Sequence, residues 1–366
     1  MAILCFGVFS LCIVRPCNDI NSAKLILENS EYADKTEISK ITNPMLMKKA
    51  EISQYNLIES SLTNSENPST NTASQNNVIE SSPSTKSYSN ETVTVYDINS
   101  GKRVTLNCFD AVCQIVRNEV GAYYHSGAKA GQTAYHKETI KAHAVAAYTY
   151  IKYNSVRGAV ANVGLNTDVP QVIRDYVKEV DGQAIYYNNS YICAVYCAST
   201  GGYTLSSKNS WGTNNPYLVS VESKYDSKGP QYSSVVTIPV EKVKQVVENN
   251  TGITLTGDPI NWFRIASVID GNYVDSVIIN GNSTCTINGR NRKITGSLFR
   301  EKIIGLGNLR SPAFTVHYDN GNFYFTSYGY GHGIGLSSEG AEQYVKYENW
   351  NYVQILKHYY TNVTIF

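Results

Sequence analysis

The sequence predicts an α+β protein in which a long polar segment precedes the folded region. From residue 93 onwards, runs with alternating apolar and polar residues are mixed with runs of helical periodicity, without the regular strand–helix alternation of a doubly wound sheet. From residue 18 to 92, Ser, Asn, Thr and Glu dominate and aromatic residues are few. Such a composition buries too little apolar surface to fold. We therefore expect a flexible tether at 18–92 and a folded region at 93–366.

The first residues form an apolar segment that indicates export. The run from Ala2 to Val14 is shorter than the roughly 20 residues that a helix needs to cross a bilayer. Its length suits the core of a signal peptide, although the basic residues that usually begin one are missing. We predict that residues 1–17 are a signal peptide or a membrane anchor. The folded region would then lie outside the cell or on its surface.

Charge and composition exclude some partners. The chain of 366 residues has 31 Lys and Arg against 30 Asp and Glu, so no basic surface favours nucleic acid. A neutral carbohydrate polymer fits this balance, and 29 Tyr supply rings that can stack on sugars. Most of these rings are also explained as ordinary core residues. Five of the eight Cys lie in the folded region, and buried free thiols are the default expectation for them.

The elements follow in order from residue 93. Alternation from Val93 to Leu106 around Asn99-Ser100-Gly101 predicts a hairpin. A helix is predicted next, with Asp110 as N-cap and Gly121 as its stop, and an alanine-rich helix from Glu138 to Tyr153 follows. Short strands are predicted next, at Ala184–Tyr187 and Tyr191–Cys197. A second subdomain at about 217–310 is suggested by a short helix after Pro239 and by the strands around it, at Phe263–Ile269, Tyr273–Ile279, Ser283–Ile287 and Ala313–His317.

Glu119 lies on the apolar stripe of the first predicted helix. Val112, Ile115 and Val116 precede it at helical spacing, so its side chain points toward the core. Partial burial and the negative end of the helix dipole both raise the pKa of a carboxyl in the last turn. Such a group can act as a general acid, for example in glycosidic bond cleavage. The alternative is a carboxylate that turns out to solvent at a frayed helix end.

Four blocks of sequence, taken together, resemble the SpoIID/LytB family of bacterial cell-wall proteins. They occur in the order that the family has, which makes the resemblance specific. The blocks are the helix ending in Glu119 with the alanine-rich helix after it, Ser199 to Thr204 (Ser-Thr-Gly-Gly-Tyr-Thr), Gly296 to Arg300 with Arg310-Ser311, and Gly329 to Ser337 with its Gly-His-Gly core.

The resemblance implies a SpoIID-like catalytic domain and a peptidoglycan lytic transglycosylase that cleaves between N-acetylmuramic acid and N-acetylglucosamine. Glu119 would be the single general acid and base, and no cofactor is implied. Partners would be peptidoglycan strands and other wall enzymes such as an amidase. The residues expected to bind or orient glycan are Lys141, Tyr148, Tyr196, Ser199, Gly201, Gly202, Thr204, Trp211 and His332.

The chain departs from the family pattern at several positions. Tyr148 stands where the alanine-rich helix of the family has Arg, and His143 where it has Gln. We therefore expect Tyr148 to line the cleft beside Glu119 and to take over part of the role of that Arg. Clostridial members carry a His and two Cys as zinc ligands, but the corresponding stretch from Leu165 to Val172 has none of these residues. We predict no zinc.

Two other functions stay open at this point. A LytB-like protein could bind the wall without catalysis and enhance an amidase. A glycoside hydrolase would need a second carboxylate, and Asp168 or Asp175 could supply it. Ser199 is not expected to be a nucleophile, because it lacks the Gly-x-Ser-x-Gly turn. The glycines around His332 do not match a dinucleotide-binding loop. Their alternation instead allows a polymer or another backbone to approach closely.

Overall fold

The computed structural model describes residues 91–119, 135–230 and 232–366. Of these described residues, 35% are helical and 28% lie in strands of small sheets, so the predicted α+β class is confirmed. The predicted export segment, the tether up to residue 90 and the helix stop at Gly121 lie outside the described residues. Within those residues, no helix combines the length and the apolar character that a membrane span requires.

The elements are named in chain order. The helices are α1 (Cys108–Glu119), α2 (Lys137–Ser155), α3 (Gln171–Lys178), α4 (Ser207–Trp211), α5 (Val240–Thr251), α6 (Gly296–Leu298), α7 (Ser338–Glu348) and α8 (Tyr352–Tyr359). The strands are β1 (Thr92–Asp97), β2 (Lys102–Asn107), β3 (Ala161–Val163), β4 (Ile185–Tyr187), β5 (Ser190–Tyr191), β6 (Tyr196–Cys197), β7 (Ser233–Pro239), β8 (Phe263–Ile269), β9 (Tyr273–Ile279), β10 (Thr284–Ile287), β11 (Arg290–Lys293), β12 (Phe314–Asp319), β13 (Asn322–Tyr328), β14 (Leu336–Ser337) and β15 (Thr364–Ile365).

The predicted hairpin is present as β1 and β2. The strands pair antiparallel from Thr92 opposite Asn107 to Asp97 opposite Lys102. Gly101 has a φ of +70°, a conformation that costs Gly little because it has no Cβ. β3 adds to the other edge of β1 in parallel, so the tip of the hairpin and the chain that follows β3 come together at one end of the sheet.

The helix α1 follows β2 without a linker, which changes its cap. Oδ1 of Asn107 accepts hydrogen bonds from the backbone N–H groups of Phe109 and Asp110. The predicted N-cap at Asp110 is therefore wrong, because the helix starts at Cys108 and places Asp110 inside its first turn. The Asp110 carboxylate forms an ion pair with Arg174 of α3 at 2.7 Å.

The alanine-rich helix α2 is buried on nearly all sides. Its residues from Thr139 to Ile151 are all buried, which is typical of a helix at the centre of a core. Small Ala side chains let α1, α3 and α8 approach it closely, and all three pack against it. His136 caps its start, because its Nδ1 accepts a hydrogen bond from the backbone N–H of Glu138.

The described residues contain two hydrophobic cores. The first surrounds α1 and α2 and includes residues from 93 to 218 and from 334 to 363, with Tyr273 and Ala313 added from the second part of the chain. The second draws on residues 238–325 and is rich in phenylalanine, with Phe299, Phe323 and Phe325 among its buried rings. It covers β7 to β13, in which β13 lies between β12 and β7. The predicted boundaries of the subdomain at about 217–310 stay a prediction.

Most predicted strands of the second part are found, with small changes in their ends. β8 and β9 match their predicted ranges, and the helix after Pro239 is α5. The predicted strand from Tyr191 to Cys197 is wrong as one element, because it is split into β5 and β6. Five cysteines of the described chain are free and buried, as the default expectation had it: Cys108, Cys113, Cys193, Cys197 and Cys285.

Candidate active site

Glu119 is the last residue of α1 and points inward. Only 4% of the residue is exposed, so the alternative of a solvent-facing carboxylate is excluded. Nδ2 of Asn118 donates a hydrogen bond to Oε1 of Glu119 at 3.3 Å. Burial disfavours a negative charge on this carboxyl, whereas the amide donor favours it. The two opposed influences suit a group that gives up a proton and later takes one back.

Arg117 supplies a positive charge to the same helical turn, where it offsets the negative end of the helix dipole. Its Nε donates to the backbone carbonyl of Asp168 at 2.7 Å, and its second guanidinium nitrogen lies 3.5 Å from the Asp168 carboxylate. These contacts attach the loop after β3 to the end of α1. The Asp168 side chain is 90% exposed. Asp175 is also exposed and accepts a hydrogen bond from Gln171. Neither of these carboxylates lies in a buried site.

His332 is a buried neutral imidazole. Its Nδ1 accepts a hydrogen bond from the backbone N–H of Ile334 at 2.9 Å. Burial, and then the positive charge of nearby Arg300, lower the pKa of His332 to about 3, although a hydrogen bond with the backbone of Tyr196 acts in the opposite direction. His332 therefore stays uncharged at neutral pH. The ring of Trp211 lies beside it, with 6.3 Å between the ring centroids.

The second and fourth sequence blocks lie side by side. β6 pairs in parallel with β14, so that Tyr196 lies opposite Leu336. Ser199 and Tyr330 form an isolated antiparallel bridge. Four of the predicted glycan-binding residues are thus brought into one region: Tyr196, Ser199, Trp211 and His332. Of these, Trp211 is the only one that is partly exposed.

The glycines of these blocks allow close packing within the protein. Gly329 has a φ of +82°, and a Cβ there would come within 2.5 Å of the Thr200 backbone. Gly333 has a φ of +78° and lies against the Tyr273 hydroxyl. Gly201 packs against Ala313, and Gly202 has a φ of +101°. Of the two uses expected for the alternating glycines, contact with other parts of the protein is the one that these distances support.

Ser199 and Thr204 are fully buried and belong to internal networks. Thr204 donates to the carbonyl of Val219 and accepts from the N–H of Val221. Ser199 donates to the carboxylate of Asp226, a buried acid that sequence reasoning missed. Both side chains hold loops together, and neither is exposed to a ligand.

The carboxylate of Asp226 accepts hydrogen bonds from hydroxyl groups in distant parts of the chain. Its Oδ1 accepts from Ser199 and Ser337, and its Oδ2 accepts from Thr200. Burial raises the pKa of Asp226, while the hydroxyl donors, beginning with Ser223, act in the opposite direction. The acid joins the second block to the start of α7. No motif surrounds Asp226 in the sequence, so only the contacts made by folding reveal its role.

Lys141 is occupied by ion pairs within the first core. Its Nζ lies 3.2 Å from Glu138 and also contacts Glu179 next to α3. The ammonium group lies 5.8 Å from the centre of the Tyr352 ring. These contacts tie α2 to α3 and α8. The structure does not direct Lys141 toward a glycan.

Tyr148 lies at the opposite end of α1 from Glu119. The groups that act on its hydroxyl include Glu91 and Cys108, which stand at the start of that helix, and its pKa is raised chiefly by burial. Lys152 lies 6.0 Å above its ring. Cys108 and Glu119 are separated by about 16 Å along the helix axis, at about 1.5 Å per residue. The expectation that Tyr148 lines a cleft beside Glu119 is therefore not met, because α2 presents it to the wrong end of α1.

Two buried carboxyls of α7 were missed by sequence reasoning. Oε1 of Glu339 accepts a hydrogen bond from the Tyr135 hydroxyl at 3.2 Å. Oε2 of Glu342 accepts from the His136 N–H and the Thr139 hydroxyl, each at 2.8 Å. Burial raises the pKa of Glu339 to about 7. The two acids attach α7 to the start of α2. The signal available in the sequence was the spacing of Glu339 and Glu342, which directly follow the fourth block and lie three positions apart, as on one face of a helix.

Metal ligands are not gathered in the parts of the chain that the structure describes. No group of three or more His, Cys, Asp and Glu side chains there is arranged so that it could hold a metal ion. Cys193 and Cys197 do not share a strand, since only Cys197 belongs to β6.

Comparison with known proteins identifies relatives for about half of the chain. No family model matches it. It is 31% identical over 194 residues to a stage II sporulation protein D of Bacillus amyloliquefaciens, and 31% identical over 193 residues to that of Bacillus subtilis strain 168. Each match covers 53% of this chain and 50% of the relative. An amidase enhancer of Bacillus subtilis strain 168 is 28% identical over 286 residues, covering 62% of this chain and 38% of that protein. The chain thus spans about half the length, or less, of these relatives. These names confirm the resemblance to the SpoIID/LytB family that the four sequence blocks predicted.

Proposed function

We propose that this protein is a peptidoglycan lytic transglycosylase of the cell wall, with Glu119 as its general acid and base. The observation that carries the proposal is the buried carboxyl of Glu119, which ends a helix and receives an amide hydrogen bond. Similarity to stage II sporulation protein D supports a role in the remodelling of the wall during sporulation. The protein would act outside the cytoplasm, on or near the outer face of a membrane.

The chemistry needs only one carboxyl. In the first step, protonated Glu119 gives its proton to the glycosidic oxygen, and the bond from C1 of N-acetylmuramic acid to that oxygen breaks. In the second step, the Glu119 carboxylate takes the proton of the C6 hydroxyl of the same sugar, and O6 bonds to C1. The products are a 1,6-anhydro end and a free hydroxyl on N-acetylglucosamine, and Glu119 is protonated again. No water enters, so no second acid is required.

The glycan would contact the region formed by Trp211 and His332. Trp211 is partly exposed, and an indole ring can stack on a sugar. His332 is neutral and holds the backbone around Gly333 through its bond with Ile334. Tyr196 and Ser199 would support this surface from beneath, because both are buried. Lys141 and Tyr148 have no part in this proposal.

Digestion of purified glycan strands followed by mass spectrometry tests the proposal. We expect anhydro ends with the wild type, and a loss of at least about 100-fold in Glu119→Gln, since the amide keeps the shape but carries no acidic proton. The matched control is Glu241→Gln, which should keep full activity. It changes an exposed acid on α5, the helix that packs on the other hydrophobic core. Reducing ends would indicate a hydrolase. Activity of Glu119→Gln near that of the wild type would place the acid elsewhere.

A second candidate function follows from the relative named amidase enhancer. In that case the protein would bind the wall and stimulate an amidase without cutting glycan itself. The same digests separate the two functions, because an enhancer yields no glycan products alone. It would raise the release of stem peptides by an added amidase, and Glu119→Gln would do so equally well.

A further inference from the structure

The amide of Asn118 faces Glu119 in an orientation that its neighbours determine. Nδ2 of Asn99 donates to the backbone carbonyl of Leu165 at 2.9 Å, and a carbonyl oxygen can only accept. The same Nδ2 donates to Asn118 at 3.1 Å, so the atom of Asn118 that meets it must be the amide oxygen. The NH2 group of Asn118 is then left facing Oε1 of Glu119.

The loop that begins this chain of hydrogen bonds is itself held in place. Oδ1 of Asp97 accepts from the N–H groups of Asn99 and Leu165, and its Oδ2 accepts from the N–H of Ser100. Asp97 is 7% exposed and Asn118 is also 7% exposed, so water competes little for these contacts. The tip of the β1–β2 hairpin and the chain after β3 therefore act together on the end of α1.

A carboxyl oxygen that accepts a hydrogen bond from an amide N–H is protonated less readily than one that does not. The contact with Asn118 therefore disfavours protonation of Oε1. The donor also favours the carboxylate that exists between the two steps of the proposed reaction. The other charged groups of the described loop and helix at this corner are Arg117 and Asp168, which pair with each other, and Asp97, whose oxygens accept backbone N–H groups.

We propose that Asn118 is a positioning residue for Glu119: its amide, oriented by Asn99, holds Oε1 and so fixes the orientation of the carboxyl. The assignment rests on the proposed function for its effect on catalysis, but the contact between the two side chains can be tested without any substrate. Asn118 touches no reacting atom. It acts only through the carboxyl.

Three variants of the full chain test the proposal by carboxyl carbon NMR of Glu119 and by the pH profile of glycan cleavage. Asn118→Leu removes the donor, and we expect the pKa of Glu119 to rise by about one unit. Asn118→Asp replaces the donor with a second acid and should raise it further. Asn99→Ala leaves Asn118 in place but removes the group that orients it, and should give a smaller rise.

The loss of glycan cleavage should follow the same order, greatest in Asn118→Asp, smaller in Asn118→Leu and smallest in Asn99→Ala. The alkaline limb of the pH profile should move upward with the pKa of Glu119, and kcat should fall about tenfold while KM changes little, because substrate contacts are untouched. The control is Gln171→Leu, which removes an amide–carboxylate contact with Asp175 at the surface of α3 and should change nothing. Melting temperatures verify that each variant is folded.

An unchanged pKa of Glu119 in folded Asn118→Leu and Asn118→Asp would overturn the proposal. If Asn118→Leu does not fold, Asn118→Asp and Asn99→Ala decide by the same titration. Failure of the proposed function is a separate result. A fully active Glu119→Gln would refute the role of the acid, while the NMR titration would still show whether Asn118 holds its carboxyl.

Discussion

The hydroxyl of Tyr135 donates a hydrogen bond to Oε1 of Glu339 at 3.2 Å, although 204 positions separate the two residues. Both are buried, with 7% of Tyr135 and 4% of Glu339 exposed. The contact joins the start of α2 to the first turn of α7. It brings a carboxyl with a pKa of about 7 into the protein interior.

Stability should therefore depend on pH through Glu339. Its pKa rises from 4.5 to about 7 on folding, so the folded protein binds the proton more tightly between these values. The contribution of Glu339 to the free energy of unfolding is complete below about pH 4.5. It falls by about 2 to 4 kcal/mol as the pH rises through 7. In Glu339→Gln this loss should be absent, because the amide does not titrate. Urea unfolding at pH 5 and pH 8 measures it, and equal losses in both proteins would contradict the prediction.

The effect of His143 on stability should be opposite to that of Glu339 and should occur at acid pH. It is fully buried, neither ring nitrogen has a hydrogen-bond partner in the structure as described, and burial lowers its pKa from 6.5 to about 3. The unfolded chain then binds the proton more tightly, so stability falls as the pH drops from about 6.5 toward 3.

We expect His143→Leu to reduce this acid sensitivity and to raise the free energy of unfolding at pH 7 by about 1 to 2 kcal/mol, since it removes two unsatisfied polar atoms. Denaturant titrations from pH 4 to 8 provide the measurement. His332→Leu serves for comparison, because His332 has a similarly lowered pKa but is hydrogen-bonded. A less stable His143→Leu at pH 7 would show that the ring nitrogens have partners in solution.

Asp226→Ala should destabilise the protein strongly. The change leaves the hydroxyls of Ser199, Thr200 and Ser337 buried without their acceptor. We expect a cost of about 3 to 5 kcal/mol, as for other broken buried networks of charged groups. A double-mutant cycle with Ser337→Ala should show coupling of about 1 kcal/mol or more. Additive effects would mean that the hydroxyl and the acid act independently.

Tyr148→Phe should leave glycan cleavage within about twofold of the wild type. The reason is position, because Tyr148 lies by the first turn of α1, and about 16 Å of helix separates Cys108 in that turn from Glu119 at the other end. Tyr148→Arg should lower the free energy of unfolding by about 3 kcal/mol, since it buries a guanidinium near Lys152. Initial rates on glycan strands and thermal melts test both. A large fall in kcat for a folded Tyr148→Phe would return Tyr148 to the site.

Local patterns in the sequence predicted the helices, the hairpin and the inward direction of Glu119. Periodicity and turn chemistry operate over a few residues, so the spacing of Val112, Ile115 and Val116 was enough to place Glu119 on the buried face. The prediction that Asp110 caps α1 was wrong because β2 runs directly into the helix. Asn107 therefore caps the helix before Asp110 is reached.

The sequence by itself thus determined the α+β class, the inward acid and the resemblance to the SpoIID/LytB family. Only the tertiary structure decided which end of α1 each residue of α2 meets, and it placed Tyr148 by the first turn and Lys141 in ion pairs. It alone revealed Asp226, Glu339 and the amide pair of Asn99 and Asn118. Their partners lie 19 to 204 positions away in sequence. Contacts at such separations depend on how whole elements pack, and no periodicity within one element encodes them.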